Sequence, residues 1–114
     1  MNPPQTPRRG DLVWLDFTPQ AGHKQAGRRP ALILSPESYN RKTGLALACP
    51  ITNQTKGYPF EVPLPVGLTI TGVVLSDHVR SIDWRARRAE RAGKAGDGTL
   101  AEVAGKLTAL IGEE

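Results

Sequence analysis

Proline boundaries constrain this chain more than any other feature. Pro30 and Pro36 bracket the apolar run ALILS, Pro50 falls near the end of LALACPIT, and Pro63 and Pro65 cut into FEVPL. Proline offers no backbone N–H and fits a sheet only at an edge or a strand end. Runs this short, rich in branched residues and bounded in this way, read as β-strands. GDLVWLDF, residues 10–17, alternates Leu12, Trp14 and Asp16 against Val13, Leu15 and Phe17, which gives a strand with two usable faces. GVVLS and VRSIDW read as two strands with a break near Asp77 and His78, and RARRAERAG is compatible with a charged outer strand. PESYNRKTG reads as a turn, and residues 18–28 as a polar loop, long for a hairpin connection.

The C-terminal end follows a different period. Leu100, Val103, Ala104, Leu107, Leu110 and Ile111 recur at helical spacing behind Thr99 and Glu102, a capping-box pair. The sequence therefore predicts one helix over roughly 99–112. The predicted fold is mainly β, a small SH3-like barrel of six or seven strands with a C-terminal α-helix. Residues 1–9 are expected to form a flexible, proline-rich arm before a single domain, 10–114.

With 114 residues and 5% aromatics, the core must be built largely from Val, Leu, Ile and Ala, and a domain of this size often gains by pairing with a second copy. The lone Cys49 reads as a small buried hydrophobe rather than a nucleophile. No segment has the apolar length to span a membrane or act as a signal peptide, so the expected location is the cytoplasm. His23 and His78 fall in different segments and Cys49 has no partner thiol, which leaves too few ligands for a zinc site; no cofactor is predicted.

Charge is more informative by placement than by total. The net charge is +4, and ten of the fifteen basic residues are arginine, grouped at 8–9, 28–29 and 85–91. Arginine suits planar, multi-donor contact with phosphate, although a solvated basic face has the same composition. If the second and third strands pair about a turn near residue 41, Arg29 and Thr52 are nearly equidistant from it and come to lie side by side. An arginine and a hydroxyl so placed could hold a phosphodiester and stabilise charge developing on phosphorus. A plain hairpin rim would carry the same two residues.

Taken in order, GDLVWLDF, QAGRRPALILSP, YNRKTGLALACPIT, KGYPFEV and GVVLSDHVRSIDWRAR resemble the MazF family of toxin ribonucleases, across nearly the whole chain from Gly10. The resemblance implies a homodimer that cuts single-stranded RNA at short motifs without metal, leaving a 2′,3′-cyclic phosphate and a 5′-hydroxyl. It also implies a cognate antitoxin, MazE-like, whose acidic tail blocks the RNA groove. The family's catalytic arginine falls on Arg29 and its threonine on Thr52, with His23 a further candidate for proton transfer. Phe17, Lys24, Gln25, Arg28, Lys56, Tyr58, Asp77 and Arg85 are candidate RNA contacts. Lys24 departs from the acidic residue that some members carry there. Two rival readings are a gyrase-directed binding toxin resembling CcdB, and an RNA-binding module with weak or no catalysis.

Overall fold

The alternation in the first strand sorts its side chains into two separate cores. In the computed structural model, which describes residues 5–16 and 27–112, β1 spans Asp11–Asp16. Leu12 joins Leu32, Cys49, Ile51, Val62, Ile70, Val74 and Val103 in one buried cluster, with Trp14 packed against it. Val13 and Leu15 point the other way, into a second cluster with Ala31, Ile33, Ala46, Ala48, Ile82 and Trp84. A sheet buried on both faces fits the near-continuous apolar runs in its central strands.

Among the described residues, seven strands build the sheet. After β1 come β2 (Arg28–Ile33), β3 (Leu45–Thr52), β4 (Glu61–Pro63), β5 (Val73–Leu75), β6 (Arg80–Asp83) and β7 (Glu90–Lys94). Every pairing is antiparallel, in the order β4-β5-β3-β2-β1-β7, with β6 also on β3. One edge of β3 meets β2; β6 and β5 pair with different stretches of β3, separated by a 3-10 turn at Ser76–His78 where the sequence predicted a break. Among the described residues the sheet is not closed: β4 and β7 end the strand order and do not pair, and β6, off that order, pairs with β3 alone.

Three local expectations are revised. PESYNRKTG is a helix, α1 (Glu37–Thr43), entered at Pro36 and ended by Gly44 in the left-handed conformation, with Glu37 in its first turn and Arg41 and Lys42 in its last. Its buried residue is polar, Asn40, so no apolar period announces it. The C-terminal helix, α2 (Asp97–Ile111), begins two residues earlier than predicted. Gly96 is its N-cap with no side-chain capping bond, so the predicted box between Thr99 and Glu102 does not set its start; Thr99 is buried in the first turn. Leu100 and Val103 pack into the first core, while Leu110 and Ile111 are exposed.

The arm is held down over at least its second half. Pro7 is buried, and its carbonyl accepts a bond from Asn40 Nδ2 at 2.9 Å. The same Asn40 side chain accepts from Ser35 Oγ at 2.5 Å, and the Asn40 carbonyl accepts from Trp84 Nε1 at 2.9 Å. Asp11, 2% exposed, accepts from the Arg8 backbone N–H and from Arg91 Nε, tying the arm and β7 to the start of β1.

Candidate active site

Strand registry brings the site together. Leu15 on β1 faces Arg29 on β2, and Ala31 on β2 faces Pro50 on β3. One further like-facing step along β2 and β3 reaches Arg29 and Thr52. On the far side of β3, Ala48 faces Arg80 of β6. These side chains share the face that holds the second core. Where its packing ends, a cavity of about 260 Å³ opens, with Leu15, Ala31, Ala48 and Ile82 among its apolar lining and Arg29, Thr52, Arg80, Arg87 and Asp16 supplying polar groups.

Thr52 is set by its neighbours on the 53–72 side. Its Oγ accepts the Gln54 backbone N–H at 3.0 Å, which uses a lone pair and leaves the hydroxyl proton for another acceptor. Gly72 lies against it at φ +119; a Cβ there would sit 2.3 Å from the Thr52 carbonyl oxygen. Gly72→Ala is therefore expected to destabilise the fold by roughly 1–3 kcal/mol and to displace Thr52. Urea unfolding, with the Thr52 amide shift as the local readout, checks both parts; an unchanged midpoint and shift would refute them.

Asp16 is the hub beside the cavity. Its Oδ1 accepts from Arg28 Nη1 at 2.7 Å and its Oδ2 from Arg88 Nε at 2.8 Å. Its backbone N–H reaches the Arg87 carbonyl at 2.8 Å, and its own carbonyl accepts from Arg87 Nη1 at 3.2 Å. The bonds from Arg88, then Arg28, hold the Asp16 carboxyl below its ordinary value of 3.8. Because that pKa is depressed by folding, its stabilising contribution is complete above the unfolded value and is lost as pH falls through the folded one.

The sequence-derived candidates divide unevenly over this geometry. Arg29 and Thr52 line one cavity together. Arg28 does not: besides Asp16 it donates to the carbonyls of Trp14 and Arg88, at 3.1 and 2.6 Å, so its guanidinium ties strands and turn together rather than facing the cavity. Arg85 lies over the Trp84 ring at 4.9 Å, outside the cavity lining. Lys56 and Tyr58 are exposed on a loop whose Lys56 and Gly57 backbone N–H groups bind the Glu61 carboxylate, away from that lining. Asp77 sits on the 3-10 turn, 3.8 Å from His78. Phe17, His23, Lys24 and Gln25 lie outside the described residues.

Two cavity arginines were not singled out from the sequence, Arg80 and Arg87. Arg80 was legible: it stands two positions before Ile82 on a predicted strand, and period-two alternation puts it on the same face. Arg87 follows a turn, where alternation gives no guidance. Among the described residues Arg80 makes no side-chain hydrogen bond or ion pair, and no cluster of three His, Cys, Asp or Glu side chains could hold a metal ion. Cys49 is fully buried, its thiol pushed up to about 12 chiefly by desolvation, and it donates to the Ser76 carbonyl at 3.7 Å. An inert core thiol is what its sequence setting predicted.

Comparison with known proteins matches this architecture along nearly its whole length. Over 106 residues the chain is 51% identical to the endoribonuclease toxin MazF of Escherichia coli (strain K12), covering 93% of this chain and 95% of that protein. A crystal structure of MazF from Deinococcus radiodurans superposes with a TM-score of 0.86 at 61% identity, covering 96% of this chain and 99% of that one. MazF in a MazE–MazF crystal structure from the same organism gives 0.88 at 59%, covering 96% and 100%. Residues 8–111 match the family model described as the PemK-like, MazF-like toxin of type II toxin–antitoxin systems, and the chain belongs to that family.

Proposed function

We propose that this protein is an endoribonuclease toxin that cleaves single-stranded RNA at the Arg29–Thr52 cavity. The observation that carries the reading is the convergence of a guanidinium and a hydroxyl with a free proton on one wall, in a chain whose relatives bear endoribonuclease names. Those names favour the nuclease over the gyrase-directed alternative.

The chemistry follows from what these groups can do. The RNA's own 2′-oxygen attacks the adjacent phosphorus, the P–O5′ bond breaks, and the products are a 2′,3′-cyclic phosphate and a 5′-hydroxyl. One proton leaves the 2′-hydroxyl and one is taken up by the departing 5′-oxygen. Attack within the same nucleotide makes alignment a large part of the acceleration. Arg29 neutralises charge building on the phosphoryl oxygens, and Thr52 Oγ–H donates to one of them. Asp16 is not the base, because both its carboxylate oxygens are taken by arginines. Arg80 and Arg87 add positive potential along the strand's path.

The reading extends to partners and place. The protein works as a cytoplasmic homodimer, and a MazE-like antitoxin lays an acidic tail against the basic cavity. The Deinococcus MazF is seen in complex with MazE, and the arginine rim here fits an anionic segment. No helix among the described residues is long and apolar enough to cross a membrane.

Purified protein incubated with a long RNA in EDTA, followed by mapping of the new 5′ ends, tests the proposal. Discrete cuts bearing 5′-hydroxyls are expected. Intact RNA, with or without added divalent cations, would leave only a binding role.

A further inference from the structure

The tandem arginines of this chain divide their duties. Arg28 and Arg29 are adjacent on β2, so their side chains leave opposite faces of the strand. Arg28 is bonded to Asp16, to the Trp14 carbonyl and to the Arg88 carbonyl, and lies 3.5 Å from Glu90; Arg29 lines the cavity. Arg87 and Arg88 repeat the division. Arg88 reaches Asp16 Oδ2, while Arg87 lines the cavity and bonds the Asp16 main chain. Among the described residues Arg88 is the only non-glycine with positive φ, at +53. Such a conformation persists where surrounding contacts over-determine it, and the Asp16 bond is one of those contacts.

We infer that Asp16 is a positioning residue for RNA cleavage: its carboxylate fixes Arg28 and Arg88, so that their chain neighbours Arg29 and Arg87 are presented to the cavity. The inference rests on the nuclease reading for its kinetic consequence, though not for its structural one. Asp16 is paired with Arg28 in the β1–β2 register, one residue beyond the Leu15–Arg29 pair. A shift of the Asp16–Arg28 contact therefore moves the backbone that carries Arg29. Misplacement of a catalytic group by about 1 Å can cost on the order of a hundredfold in rate.

Asp16→Asn separates this role from a purely electrostatic one. The variant keeps the side-chain shape and removes a negative charge from a basic site, so a screening role predicts tighter RNA binding and no slower cleavage. The positioning role predicts that single-turnover cleavage at saturating protein slows by about tenfold or more, with RNA affinity unchanged or tighter. Arg88→Gly suits the positive φ and removes the second anchor; it should slow cleavage without loss of thermal stability. Combined with Asp16→Asn it should add little, because the two residues act through one contact.

Backbone amide shifts of Arg29, recorded without RNA, give a readout independent of catalysis. A shift in Asp16→Asn supports the inference even if the parent protein cleaves nothing, a result that would sink the nuclease reading alone. A parent that cleaves, with Asp16→Asn and Arg88→Gly matching its rate and an unmoved Arg29 amide, overturns the positioning role. Should Asp16→Asn fail to fold, the Arg88→Gly rate and Arg29 shift decide the matter in the same sense.

Discussion

Arg29→Ala is expected to lower single-turnover RNA cleavage by roughly a hundredfold or more, with little change in unfolding midpoint. Arg29 is exposed at the cavity rim, so its truncation opens no hole in either core. In the proposed mechanism, what is lost is a cation aimed at charge that develops only as phosphorus gains its fifth oxygen; removing one such donor costs on the order of 3 kcal/mol in activation free energy. Binding should weaken far less, because Arg80 and Arg87 still line the same wall. Rates from saturating protein, with affinity measured separately, separate the two effects. A variant that cleaves within a few-fold of the parent would remove Arg29 from the chemistry and force a new site assignment.

The largest effect on stability is expected at Trp84. Its side chain is fully buried in the second core, and its Nε1 donates to the Asn40 carbonyl at 2.9 Å. Trp84→Ala removes the largest fully buried side chain and cuts the bond that ties the end of β6 to α1. Substitutions of this kind cost about 3–5 kcal/mol, against a total of roughly 5–15 for a typical domain. Trp84→Phe fills much of the volume without the N–H and should cost about 1–2 kcal/mol. Urea titration of both variants tests the claim. A loss below 1 kcal/mol for alanine would mean that the second core closes over the gap.

The Arg29–Thr52 meeting was readable because antiparallel registry is simple counting: once β2 and β3 pair, the partner of each residue follows. The two faces of β1 were readable for a similar reason, since alternation has a period of two. Helix α1 was hidden because its buried residue, Asn40, is polar and, besides nearby Ser35, its binding partners lie far away in sequence, at Pro7 and Trp84. The bonds that hold Arg28 were hidden for a related reason. A sequence displays charge but not the partner: Asp16 meets Arg28 across the β1–β2 pairing, and Glu90 and the Arg88 carbonyl reach it only after the 84–90 segment has folded back. The start of α2 was set by backbone geometry at Gly96, which a side-chain capping pattern cannot register.

The unclosed sheet bears on how this protein behaves when crowded. An open end offers unpaired N–H and C=O groups to any passing strand, the usual route to fibrous assembly. Here one end is β4, three residues long and finished by Pro63, which has no N–H to offer. The other is β7, where Glu90, Arg91 and Lys94 put charges of both signs on a five-residue strand and Gly93 accompanies an irregularity in its pairing with β1. A third open edge is β6, four residues long with Arg80 and Asp83 at its termini. None of the three is a long, flat apolar template. High protein concentrations should therefore leave the folded protein dispersed, and aggregation, when it occurs, should begin from unfolded chains.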